Sequence, residues 1–369
     1  MTDSVKVPFL DLRLREDAGA VREAIARVTA RGWYVLGPEV EGFESEFAAA
    51  SGARFAIGTG NGTDAITLML RAAGIGAGDE VIVPAITAAY TALAVIAAGA
   101  IPVIVDVDDQ TLTMDPAACD AAIGSRTRAV VPVHLYGQAA DMSALAAIAS
   151  RHNLALIEDC CQAHLASWRG TPVGTFGVGG AFSFYPTKNL GALGDGGAAI
   201  TNDAAVADRI KRLRNGGQTD RYVHAEAGVN SRLDEIQAAV LRARLPFLPA
   251  WTARRRELAA EYRRSLRTAI QPIAERDSGH VYHLFPVRTS GRQSLQASLA
   301  AAGIDTLIHY PMPLNEQAAF AAYPARECPV ASRATRELLS LPLHPGLTDS
   351  DVRMVVSAAR NVDRRDVVA

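Results

Sequence analysis

From Gly58 to Arg232 the chain alternates short, continuously apolar runs with Ala-rich segments of helical period. Four runs read as buried strands: Val81–Pro84, Pro102–Asp106, Ala129–His134 and Leu154–Glu158. None alternates apolar with polar positions, so each calls for cover on both faces, as strands of a parallel sheet do. Helical stretches such as Thr91–Ala98 and Asp141–Arg151 fall between them. The pattern predicts an α/β domain with a mostly parallel sheet, whose ligands sit at the carboxyl ends of the strands. After Asn230 the texture changes. Arg232–Arg244 and Thr252–Arg267 read as helices, followed by a strand over Tyr282–Arg288 and helices over Ser294–Ala302 and Asp349–Asn361. The expected division is a large domain with the N-terminal segment at 1–245 and a smaller α/β domain at 246–369.

Composition narrows the function classes. The 369 residues are 49% hydrophobic and carry 37 basic against 39 acidic side chains, a formal charge of −2. That is enough apolar material for a sizeable core, and no pervasive basic surface points to nucleic acid. No run approaches the roughly 18 apolar residues of a membrane span. The opening MTDSVKVPFLDLR lacks a signal-peptide apolar stretch, so a cytoplasmic location is expected. Four cysteines (Cys119, Cys160, Cys161, Cys328) have neither disulfide density nor metal spacing, and no metal is expected. Three of the 37 basic residues are lysine (Lys6, Lys188, Lys211), leaving 34 arginines. Where charge alone suffices this chain uses Arg, so a retained lysine is a candidate amine.

Lys188 is the best placed of the three. It follows a strand pattern over Ala181–Tyr185 and Pro186, in a loop with Gly191, Gly194, Gly196 and Gly197. Glycine at that density allows close approach to a ligand, and a desolvated lysine can form a Schiff base. A surface-loop lysine would look similar in isolation. Asp159 ends a predicted parallel strand, where an acid points into the ligand crevice. A carboxylate there suits the ring nitrogen of pyridoxal phosphate, or caps the next helix. Gln162 and His164 follow, placed to lie by the ring or its hydroxyl, or to pack a helix. The turn Ile57-Gly-Thr-Gly-Asn-Gly-Thr-Asp64 opens a helical pattern over Ala65–Ala73 and offers backbone N–H groups at Gly62 and Thr63 to a phosphate. Ser183 adds a hydroxyl. The spacing is not the dinucleotide fingerprint. The Arg-rich Arg254-Arg-Arg256 reads as a solvated helix face.

Together these stretches resemble the DegT/StrS-type nucleotide-sugar aminotransferases, of the aspartate-aminotransferase fold (PLP fold type I). The resemblance is carried by Gly58–Asp64, Gly78–Pro84, Val133–Gly137, Glu158-Asp159 with Gln162-Ala-His164, Ser183–Gly197, Leu213–Gln218, Asn230–Gln237 and Ile308–Pro311. Phe182–Gly197 and Arg221–His224 are most similar to enzymes that aminate C3 of a dTDP-3-keto-6-deoxyhexose. The resemblance implies that Lys188 holds the aldehyde of pyridoxal 5'-phosphate and shuttles a proton, that Asp159 pairs with the ring nitrogen, and that Gln162 lies by the ring hydroxyl. It implies a phosphate site of Gly62, Thr63 and Ser183, completed by Asn230 of a second subunit, hence a homodimer. Tyr185, His309 and Tyr310 are expected near the sugar, and Arg221, Tyr222 and His224 at the nucleotide-sugar entrance. Two departures stand out. Ala88 takes the place of an aromatic that stacks on the ring in many members, leaving Tyr90 or His164 to do so, and Leu165 follows His164 where glycine is usual.

The implied reaction is ping-pong transfer of an amino group from a donor, L-glutamate, to the keto sugar. Amination of a 4-keto nucleotide sugar or a keto-cyclitol, a non-catalytic PLP-binding regulator, and a nucleotide-binding oxidoreductase are the alternatives.

Overall fold

The structure, a computed structural model, describes residues 5–266 and 269–360. The main sheet uses β1 (Phe55–Thr59), β2 (Glu80–Pro84), β3 (Ile101–Val105), β4 (Thr127–Val130) and β5 (Ala155–Asp159). A short ribbon, β6 (Ser167–Trp168) and β7 (Thr171–Pro172), precedes β8 (Gly179–Ser183) and β9 (Gly197–Thr201). The order is β1-β9-β8-β5-β4-β2-β3, and β9 alone runs against the others. A hairpin of β10 (Gln218–Asp220) and β11 (Val223–His224) projects beyond it. A second sheet holds β12 (Gln271–Pro272), β13 (Phe285–Arg288) and β14 (Leu338–Leu341).

The continuous apolar strands are explained by their two covered faces. Val81 and Val83 face one core with Ile66, Leu68 and Met69, while Ile82 between them faces another with Phe43, Phe47 and Phe182. The first core is closed by α3 (Gly62–Ala72), α4 (Tyr90–Ala97) and α7 (Ala204–Leu213). The second is closed by α2 (Pro38–Ala50), α5 (Pro116–Ala122) and α6 (Met142–Arg151). Outside these lie α1 (Ala18–Arg31) and α8 (Glu235–Arg244), packed on each other. The chain then runs through α9 (Leu248–Ser265), α10 (Arg292–Ala301), α11 (Pro329–Glu337) and α12 (Asp349–Arg360). The expected helix ends at Arg267 and Asn361 lie outside the described residues. No described helix is long and apolar enough to cross a membrane.

Two features depart from the sequence reading. The N-terminal segment crosses to the later part of the chain: Val7 pairs with Ile304 and packs with Tyr262, Phe285 and Leu299. Val7 finds its cover there, while Phe9 packs in the core of the main sheet. The Arg254–Arg256 run is not wholly a solvated face. Arg255 is 5% exposed and its Nη1 donates to the carbonyls of Tyr282, His283 and Leu343 (3.2, 3.3 and 2.8 Å). Side chains on one helical turn point in different directions, and the middle arginine points inward.

Candidate active site

The site forms where β5 and β8 end side by side and α3 begins. Asn61 caps α3, its Oδ1 accepting from the Asp64 N–H at 2.8 Å. The first-turn N–H groups of Gly62 and Thr63 have no intrahelical acceptor by helix geometry. Close packing here needs glycine. A Cβ on Gly62 would lie 2.6 Å from Cys161 Sγ and 2.8 Å from Ser183 Cβ, and one on Gly197 would lie 2.3 Å from the Asn61 carbonyl. So the anion-ready turn, Ser183 and Cys161 are immediate neighbours.

Asp159, the last residue of β5, is buried. Its Oδ2 accepts from Thr91 Oγ1 at 2.7 Å and its Oδ1 from the Cys161 N–H at 3.1 Å. The backbone around it is held on the far side by a second network. Glu158 accepts from the Gly174 and Phe176 N–H groups (2.7 and 2.8 Å) and lies 2.9 Å from His134 Nε2, while His134 Nδ1 accepts from the Ala140 N–H. His134, Glu158 and Cys160 converge within 4.8 Å, but the imidazole and carboxylate are already engaged in bonds that anchor the strand end.

Lys188 sits in the loop after β8, half-buried, its N–H donating to the Tyr185 carbonyl at 2.8 Å. Burial pushes its amine below the usual lysine range, opposed by Cys161 and Asp159 beside it. Its charge in turn helps burial depress His164, His283 and His309; His309 falls to about 4. The structure therefore gathers Lys188, Asp159, Cys161 and three imidazoles in one place.

The other expected residues divide. Gln162 is buried and fully engaged: Oε1 accepts from the Tyr136 N–H at 2.7 Å and Nε2 donates to Tyr310 Oη at 2.9 Å. This leaves the hydroxyl hydrogen of Tyr310 to be offered onward. His309 stacks on Phe9 at 5.7 Å and bonds Ser340 Oγ through Nδ1 at 3.0 Å. His164 does not face an open space: its ring is fully buried between Phe182 and Phe184, 5.6 Å from each, with Nε2 bonded to the Ser183 carbonyl. It thus backs the site from the core side, because Phe182 and Phe184 both belong to the core on the side of the sheet away from α3. Tyr90 opens α4 and Tyr185 follows β8, both exposed. Arg221, Tyr222 and His224 stand on the exposed β10–β11 hairpin; Arg221 lies over the Tyr222 ring at 5.2 Å and His224 Nδ1 bonds the Gly216 carbonyl. Asn230 is exposed, and within the chain it is Ser231 that reaches the turn, Oγ accepting from the Gly60 N–H at 2.9 Å and donating to Asp64 at 2.6 Å. Thr91, Tyr136, Ser231 and His283 were not foreseen: Tyr136 and Ser231 fall within stretches that carry the resemblance, but in all four cases only the fold brings the side chain to the site.

Residues 16–360 match the DegT/DnrJ/EryC1/StrS aminotransferase family. The chain belongs to this family. It is 48% identical over 368 residues to the dTDP-3-amino-3,4,6-trideoxy-alpha-D-glucose transaminase of Streptomyces venezuelae, covering 97% of this chain and 96% of that one. The fold matches S. venezuelae DesV, solved in complex with a ketimine intermediate, at a TM-score of 0.94 and 47% identity, over 97% of this chain and 99% of that chain. NtdA of Bacillus subtilis, solved with bound cofactor PMP, gives 0.92 at 30% identity, over 98% of this chain and 86% of that chain. Like the DegT/DnrJ/EryC1/StrS aminotransferases at large, the chain is a pyridoxal-phosphate-dependent aminotransferase. The residues present fit that cofactor: a helix start for a phosphate, a buried carboxylate for a ring nitrogen, and a desolvated amine between them.

Proposed function

We propose that this enzyme moves an amino group from L-glutamate to C3 of a dTDP-3-keto-6-deoxyhexose in a ping-pong cycle. The observation that carries the reading is the Lys188 amine, desolvated and flanked by Asp159 and Cys161 beside the α3 N-terminus. Pyridoxal phosphate, when bound, supplies an aldehyde to take up the nitrogen and a ring to accept electrons. Gly62, Thr63 and Ser183 hold its phosphate in this reading, and Asp159 holds the ring nitrogen protonated. Thr91 and the Cys161 N–H keep Asp159 aimed. Lys188 would hold the cofactor's aldehyde and would serve as the base that takes a proton at the donor carbon and gives one at the sugar carbon. A lowered amine pKa leaves more neutral base at neutral pH, which this step needs.

The 3-amino dTDP-sugar chemistry of the Streptomyces relative supports the substrate. Tyr185, His309 and Tyr310 are assigned to the hexose. A homodimer completes the site: Trp33, Tyr34, Tyr90, Tyr185 and Tyr222 are exposed aromatics that a single chain leaves uncovered. Arg221, Tyr222 and His224 then serve the nucleotide entrance across the pair, and Asn230 the second subunit's phosphate. The test is to add L-glutamate to purified protein and watch for the pyridoxamine spectrum, then supply the keto sugar and locate the new nitrogen by NMR. Amination at C3 is expected. A spectrum unmoved by every amino acid tried would overturn the reading.

A further inference from the structure

The residue after Lys188 ties its loop to a distant part of the chain. Asn189 is buried; its Nδ2 donates to the Val281 carbonyl at 3.0 Å, and its Oδ1 lies 3.2 Å from His283 Nδ1. The first bond fixes the amide, because a carbonyl oxygen can only accept. The second therefore needs the hydrogen on Nδ1, and a neutral ring then carries its lone pair on Nε2. Burial pushes His283 well below the ordinary histidine value, and the charges of Lys188 and Arg255 push it further, so the ring is neutral. Among the described residues Nε2 has no hydrogen-bond partner, and unlike Nδ1 of His164 it is not closed off.

The backbone around this ring is bent to hold it. Tyr136 and Tyr282 both sit in the left-handed region, at φ 59° and 48°, which large side chains disfavour. Their segments are laced together by the Val281 N–H on the Gly137 carbonyl (2.9 Å) and the Leu284 N–H on the Tyr136 carbonyl (3.3 Å). Gly137 leaves no room for a side chain, since a Cβ there would lie 2.8 Å from the His283 nitrogen. Arg255 braces the same turn through the Tyr282 and His283 carbonyls. Strain of this kind persists only where the surroundings over-determine it, and it gathers at functional sites.

We infer that His283, locked in one tautomer by Asn189, is a positioning residue for Lys188: its Nε2 accepts a hydrogen from the free amine and holds that amine in line for proton transfer. The inference rests on the reading of Lys188 as the reacting amine and adds the group that orients it. The other groups facing this pair are Asp159, Cys161, Arg255, His164 and His309. Asp159 is already taken up by Thr91 and the Cys161 N–H. His164 spends Nε2 on the Ser183 carbonyl and its Nδ1 is sealed. His309 leans on the Ser340 hydroxyl, which can donate or accept and so fixes no tautomer. His283 alone of the three imidazoles is held as an acceptor.

The test compares His283→Gln, whose amide oxygen can take the place of Nε2, with His283→Leu, which fills the space without an acceptor. The first readout needs no turnover. In the full-length protein stripped of cofactor, the rate at which trinitrobenzenesulfonate modifies the Lys188 peptide is followed against pH, which gives the pKa of the amine. A hydrogen-bond acceptor favours the charged amine, so His283→Leu should lower that pKa by about one unit, while His283→Gln holds it near the wild-type value. The second readout is the holoenzyme with L-glutamate and the keto sugar. His283→Leu should cut kcat roughly tenfold or more with both KM values within about twofold, and His283→Gln should recover most of the loss. A lysine pKa unmoved by His283→Leu overturns the inference. So does equal impairment of kcat in the two variants, which would make the histidine a packing residue. If His283→Leu does not fold, Asn189→Ala decides: imidazole nitrogen NMR should show His283 as a mixture of tautomers and the lysine pKa should fall, whereas a single tautomer with an unmoved lysine overturns the inference. Failure of the wild-type enzyme to take nitrogen from any amino acid, with the lysine pKa still responding to His283→Leu, would sink the catalytic reading and leave the pairing of His283 with Lys188 standing.

Discussion

Thr91 sets the behaviour of Asp159. Its hydroxyl, at 2.7 Å from Oδ2, is one of two donors on a buried carboxylate, the other being the Cys161 N–H. Bonds of this charged kind contribute about 1.5–3 kcal/mol. Thr91→Val keeps the shape and removes the donor, so the carboxylate is less firmly aimed and grips a protonated ring less well. Cofactor dissociation, measured by equilibrium dialysis, should rise roughly tenfold or more; an unchanged constant would mean that Thr91 does not tune Asp159. At this scale the sequence was informative where chemistry demands a rare residue in a distinctive setting. Lys188 stood out because lysine is scarce and glycine crowds its loop, and Asp159 because it ends an apolar strand. Thr91 was not legible, because a threonine near a helix start is ordinary until the fold brings it against β5. Arg255 was read as solvated, because sequence shows a basic run but not which of three side chains turns inward.

Among the elements, the start of α2 depends on a residue nearly two hundred positions away. Glu235, fully buried at the head of α8, accepts from the Gly37, Glu39 and Val40 N–H groups at 2.9, 3.0 and 2.8 Å. It satisfies donors that a helix start leaves free, and it ties α2 to α8. Glu235→Ala strands three buried donors at about 1–3 kcal/mol each before relaxation. A loss of roughly 3–5 kcal/mol in urea unfolding is expected. A loss below about 1 kcal/mol would show that water replaces the carboxylate and that the tie is dispensable. Strands β2, β3, β4, β5 and β8 of the main sheet were readable because burial on both faces leaves an apolar run, whereas β1 and β9, rich in glycine and alanine, were not read as strands. The hairpin at β10–β11 and the crossing of Val7 to Ile304 were not, because the former has no apolar alternation and the latter is a long-range choice of partner.

For the molecule as a whole, neutral histidines make stability depend on pH. Burial lowers His164 and His280 from 6.5 to about 3, and His309 to about 4. Between pH 6.5 and about 4 the unfolded chain therefore binds more protons than the folded one. Stability contributed by these groups is complete above 6.5 and falls as pH drops, by up to about 1.4 kcal/mol per unit for each histidine. Urea midpoints measured from pH 7.5 to 4.5 should hold level and then decline, before ordinary carboxylates begin to titrate. A midpoint that stays flat or climbs on acidification to 4.5 would show that these imidazoles protonate freely in the folded state.

The proposal that Lys188 carries the cofactor can be read out covalently. Borohydride reduction of the purified yellow protein, followed by digestion and mass analysis, should leave the pyridoxyl phosphate mass on the peptide containing Lys188, with the peptides of Lys6 and Lys211 unmodified. The mass appearing on either of those peptides instead, or on none while the cofactor remains bound, would contradict the account.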